Sequence, residues 1–114
     1  MARLQHALRC LALGAVAAAA GCGGQHPKPL DVSGARRLYV HSGCGECHAL
    51  ADAHAHGQIG PDFDTSERLN REQIRRGLVE GANGMPSYAD ELSRAQRDSL
   101  TDYLLRVAWK HSPR

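Results

Sequence analysis

Apolar residues along the chain form one uninterrupted run and three shorter helical patterns. The run is residues 11–20, "LALGAVAAAA", and it follows Arg3 and Arg9. A charged start, an apolar middle and a small-residue end predict a secretory signal over residues 1–21. The run is too short to span a bilayer with ease. Near the other end, Leu100, Tyr103, Leu104 and Val107 recur at i, i+3, i+4 and i+7, one stripe of a helix. Ser93, with Gln96 three residues on, supplies its start. Ile74 and Leu78 mark a second helix, capped by Asn70 with Gln73 and stopped after Glu80 by Gly81. A further helix starts at Asp31 or Ser33 and runs to about Ser42, with Leu38 and Tyr39 apolar. No period-two alternation and no internal repeat are present, so the expected fold is all-α. Residues 49–64, rich in Ala, Gly, His and Asp, read as a loop, and so do residues 81–92, "GANGMPSYADEL".

The expected organisation is a signal over 1–21, a tether over 22–32 and one small domain over 33–114. Residues 23–30, "GGQHPKPL", carry the Gly and Pro of a flexible spacer. The signal ends "AAGC", which resembles the lipobox of bacterial lipoproteins; that likeness implies a lipid on Cys22 and a membrane tether. Ala19 stands where that family has leucine, which leaves ordinary cleavage near Gly21 as the alternative.

Charge excludes one class of partner. The chain has 14 Lys and Arg against 12 Asp and Glu, and Arg3 and Arg9 belong to the signal. Without them the charges balance, which argues against a nucleic-acid binder. Aromatic residues are few: one Phe, one Trp and three Tyr. A domain this small buries a limited share of its surface, so a bound group is expected to supply core volume.

The chemistry concentrates in "SGCGECHAL", residues 42–50, which holds Cys44, Cys47 and His48. Cys10 leaves with the signal and Cys22 is the lipid candidate, so Cys44 and Cys47 are the pair left in the domain. C-x-x-C-H is the attachment signature of c-type haem: two thiols that add to vinyl groups and an imidazole that reaches the iron. A redox dithiol needs a βαβ setting that the chain lacks. A zinc site through Cys44, Cys47, His54 and His56 is the competing chemistry, though two His so close in sequence make a cramped ligand set. A haem iron held by one His needs a sixth ligand or keeps an open position. Met85, in a Gly/Pro loop, is the one methionine besides Met1; a lone loop Met is otherwise a surface or core filler.

With "LYVHSGCGECH", "GPDF", "GMPSY" and "LTDYLLRVA" in that order, the chain resembles a class I cytochrome c, a small monohaem electron carrier of bacteria. The likeness covers residues 33–109. It implies N- and C-terminal helices that cross, with a third helix and long loops wrapped around one covalent haem c. It implies thioethers at Cys44 and Cys47, axial ligation by His48 and Met85, and a Pro61 carbonyl that accepts from the other His48 nitrogen. Leu38 and Tyr39 would pack on Leu100 and Tyr103, with Gly34 or Ala35 as the small residue at the crossing. Trp109 lies too far along the chain to match the tryptophan that meets a haem propionate in mitochondrial relatives.

The function implied is one-electron transfer between respiratory or dehydrogenase partners, by a membrane-tethered monomer exported to the periplasm or cell exterior. Its protein redox partners would be transient; it would bind no nucleic acid and have no enzyme activity of its own. The alternative is a haem sensor with a displaceable Met85.

Overall fold

Asp31 starts the first helix. Its carboxylate accepts the Gly34 N–H at 2.6 Å, and helix α1 runs over Val32–His41. The computed structural model describes residues 27–110; the signal segment, Cys22 and the first part of the tether lie outside the described residues. Just before α1, the Leu30 N–H donates to the Ser99 hydroxyl at 3.1 Å, so the chain meets the domain there. Gly43, at φ 76°, turns α1 into the single turn α2, Cys44–Cys47. Only glycine enters that left-handed region without strain.

The expectation of an all-α fold is corrected here. Strand β1, His48–Leu50, pairs antiparallel with β2, Ala55–Gln58, so the fold mixes helices with a two-stranded sheet. The register joins His48 to Gln58, Ala49 to His56 and Leu50 to Ala55, with an irregularity after His48. A short 3₁₀ turn at Ala51–Ala53 and a left-handed His54 connect the two strands. The loop read from residues 49–64 is therefore a hairpin over its first half.

Composition hid it. The strands carry Ala, His, Gly and Gln rather than β-branched residues, and three residues are too few to show alternation. Tertiary contacts supply what propensity does not. Leu50 is fully buried at 0% exposure. Gly57 lies so close to the Cys47–His48 backbone that an added Cβ would meet it at 2.5 Å. The Asp64 carboxylate accepts the Ala51 N–H at 2.7 Å and ties the hairpin to the following segment.

The two remaining helices follow their caps. Helix α3, Arg71–Glu80, has a full capping box between Asn70 and Gln73 and ends at Gly81, φ 67°. Helix α4, Arg94–Val107, has the same box between Ser93 and Gln96. Ile74 and Leu78 of α3 are buried, as are Leu100, Tyr103, Leu104 and Val107 of α4.

Helices α1 and α4 pack through Tyr39 and Tyr103, whose rings meet edge to face at 6.1 Å. Ala35 and Gly34 are both buried, whereas Leu38 packs at the edge of the core. Beside this contact the Tyr103 hydroxyl donates to Asp52 at 2.6 Å, and Arg36 donates to the same carboxylate through Nε and Nη2, each at 2.9 Å. Asp52 sits in the 3₁₀ turn, so this cluster ties both terminal helices to the hairpin. Among the described residues no helix is long and apolar enough to cross a membrane.

Candidate functional site

Helix α2 and strand β1 put Cys44, Cys47 and His48 on one wall of a cavity of about 390 Å³. Met85 lines the same cavity from the loop between α3 and α4. Ile74, Leu78, Leu100 and Leu104 make much of the remaining lining apolar. That size and a mostly apolar wall with few polar groups are the marks of a cofactor site.

His48 is 8% exposed. Its Nδ1 lies 2.9 Å from the Pro61 carbonyl oxygen. A carbonyl only accepts, so Nδ1 carries the proton and the Nε2 lone pair is left free to bind a metal. Its own main-chain carbonyl accepts the Tyr39 hydroxyl at 3.0 Å. Phe63 stacks on the ring, with centroids 4.5 Å apart and planes 18° apart. Gly60 closes the ring edge: an added Cβ there would sit 2.3 Å from His48 Cε1. Three neighbours thus hold the imidazole by a hydrogen bond, a stack and a close approach.

The two cysteines are unpaired and half-buried. Burial, with a smaller push from Cys47 nearby, raises the Cys44 thiol to about 11. A redox dithiol works through a thiolate of lowered pKa, so Cys44 has the opposite character. The competing zinc set does not assemble. His54 and His56 are exposed on the hairpin and do not line the cavity. Among the described residues no group of three or more His, Cys, Asp or Glu is placed to hold a metal ion.

Met85 is half-buried in a loop with regular ties. Its N–H donates to the Ala82 carbonyl at 2.8 Å, closing a tight turn through Asn83 and Gly84, both at positive φ. Gly81 is required where the turn closes, because a Cβ there would lie 2.4 Å from the Met85 carbonyl oxygen. The donor set is therefore two thiols beside an imidazole with a free Nε2, facing an apolar space that a thioether also lines. These residues fit a haem c.

Cys44, Cys47, His48, Pro61 and Met85, the candidates of the sequence, all line this one cavity; the neighbours that hold the His48 ring were not among those candidates. Phe63 and Gly60 lie in the same "IGPDF" stretch as Pro61, but the resemblance implies a role for the proline alone. Trp109 does not line the cavity but supports Phe63, which does: it meets the Phe63 ring edge to face at 5.7 Å, and its main-chain N–H donates to the Phe63 carbonyl at 2.6 Å. Nothing in a lone C-terminal Trp signals that it backs the ring behind His48.

A family model described as "Cytochrome C oxidase, cbb3-type, subunit III" matches residues 31–104. Among solved structures, the chain is similar to the c-type cytochrome SorU from Sinorhizobium meliloti. The match has 26% identity and a TM-score of 0.62, covering 73% of this chain and 95% of that one. No curated protein sequence matches.

Proposed function

Because the chain belongs to the family of cytochrome c oxidase, cbb3-type, subunit III, and so carries covalent haem c in a cytochrome c fold, we propose that it is a His/Met-ligated one-electron carrier tethered to a membrane. Cys44 and Cys47 would form the thioethers, with His48 and Met85 as axial ligands. The observation that carries the reading is one cavity lined by Cys44, Cys47, His48 and Met85.

When bound, the haem supplies a one-electron iron couple. The protein's part is to hold the ligands still. The Nδ1–H bond to Pro61 orients the His48 ring and raises its donor strength. Met85 offers a soft thioether, which favours the reduced metal relative to a second imidazole. Two fixed ligands leave little to rearrange on transfer and no position for a substrate, which separates a carrier from an enzyme. The apolar lining excludes water from most of the group. Redox partners would dock transiently and separate again.

The tether is the second part of the proposal. Cys22 would carry lipid, and residues 23–30 would space the domain, from residue 33 onward, off the surface on the periplasmic or outer side. One measurement addresses both parts: the intact mass of protein extracted from membranes, together with its ferric spectrum. The expected result is the mass of residues 22–114 plus one haem and acyl chains, with the weak long-wavelength band of a sulfur–iron bond. A mass without haem would remove the thioether assignment, and one without acyl chains the tether. A band that survives in Met85→Ala would remove Met85.

A further inference from the structure

We infer that Tyr88 is the latch of the Met85 loop: its hydroxyl ties the segment that carries Met85 to the turn that carries Cys44. The inference rests on the proposed ligation by Met85.

Residues 86–92 form no helix or strand, so side chains and turns must hold this stretch. Tyr88 is buried and lines the cavity. Its N–H donates to the Leu78 carbonyl at 2.8 Å, and its own carbonyl accepts from the Leu92 N–H at 3.1 Å. Its hydroxyl donates to the Ser42 carbonyl at 3.1 Å, across 46 positions of sequence. Ser42 caps α1 and stands two residues before Cys44.

The other ties of the loop go elsewhere. The Ser87 hydroxyl donates to the Val79 carbonyl and accepts from the Ala89 N–H. The Arg97 guanidinium donates to the carbonyls of Ala89 and Leu92. These bonds hold the loop to α3, to α4 and to itself. Among the described residues, no other hydrogen bond joins residues 81–92 to residues 27–60. Met85 and Tyr88 stand three residues apart on one loop, so the Tyr88 hydroxyl resists motion of that segment away from the Cys44 wall.

A ligand that replaces Met85 binds only after the loop opens. Its apparent affinity is therefore reduced by the small population of the open loop. Tyr88→Phe keeps the buried ring and deletes only the hydroxyl. Loss of one net hydrogen bond should raise the open population roughly five- to tenfold.

The experiment is an imidazole titration of the ferric haem-loaded protein, read at the sulfur–iron band, in wild type, Tyr88→Phe and Ser87→Ala. Ser87→Ala loosens the loop from α3 without touching the tie to Ser42. Imidazole is expected to bind Tyr88→Phe about five- to tenfold more tightly than wild type, and Ser87→Ala within about twofold of wild type. Wild-type affinity in Tyr88→Phe, with the band intact in both, overturns the latch alone. An equal rise in Ser87→Ala also overturns it, because the loop would then answer to any loosening. A wild-type ferric protein without the band overturns the Met85 ligation and the latch with it.

Discussion

Phe63 stacks on His48, ring against ring at 4.5 Å, and Trp109 meets Phe63 in turn, edge to face at 5.7 Å. The C-terminal residues of the domain thus bear on the imidazole through one intermediate ring. Phe63→Leu keeps most of the buried volume and removes both aromatic contacts. It should lose about 1 kcal/mol, the scale of aromatic pairs beyond their area burial. For a domain of this size that lowers the thermal midpoint by roughly 4–8 °C. The shifted proton resonances of the His48 ring in the ferric protein should move as well. A lowered midpoint with unmoved resonances would mean that the stack contributes packing and does not orient the ring.

Gly60→Ala tests the close approach at the ring edge. The new Cβ would lie 2.3 Å from Cε1 and 2.6 Å from Nδ1 of His48. Such contacts are not tolerated, so something must shift, and the expected response is that the ring turns and gives up its bond to Pro61. The expected outcome is a strong fall in haem content per protein, measured by absorbance against total protein mass. Full haem content with an unchanged reduction potential would show that the segment at 59–61 yields instead of the ring.

Asp52 carries a pH dependence of known sign. The bond from Arg36, followed by that from Tyr103, holds its carboxyl below the usual carboxylate range. The folded value is therefore lower than the unfolded one of about 3.9. Stability from this group is fully present above that unfolded value and is lost as pH falls through the folded one. Asp52→Asn should lower the thermal midpoint at pH 7, and the gap to wild type should narrow below about pH 4. A gap that stays constant down to pH 2 would show that the charge of Asp52 is not what the cluster uses.

Leu100 is 1% exposed between α4 and the other elements. Leu100→Ala should cost about 2–5 kcal/mol, a large share of the 5–15 kcal/mol that holds a typical domain. Chemical denaturation of the haem-loaded protein checks it. A loss under about 1 kcal/mol would mean that the wall collapses around the deleted side chain.

Local signals along the chain are enough for the three long helices and for the set of candidate ligands. Asn70 and Ser93 cap the helices they were expected to cap, and of the two candidates Asp31 and Ser33 it is Asp31 that caps α1, because a cap and an apolar stripe are local signals. Cys44, Cys47 and His48 were legible because their spacing is itself the motif. The β1–β2 hairpin, the stack of Phe63 on His48 and the bond from Tyr88 to Ser42 depend on long-range packing. None of these has a local signature. Ala, His and Gly pair as strands there because Leu50 is buried and Gly57 admits a close backbone. Phe63 meets His48, and Tyr88 meets Ser42, only once segments 15 and 46 residues apart are folded onto one cavity. The motif names the atoms that can bind a haem, and long-range packing sets where those atoms are held.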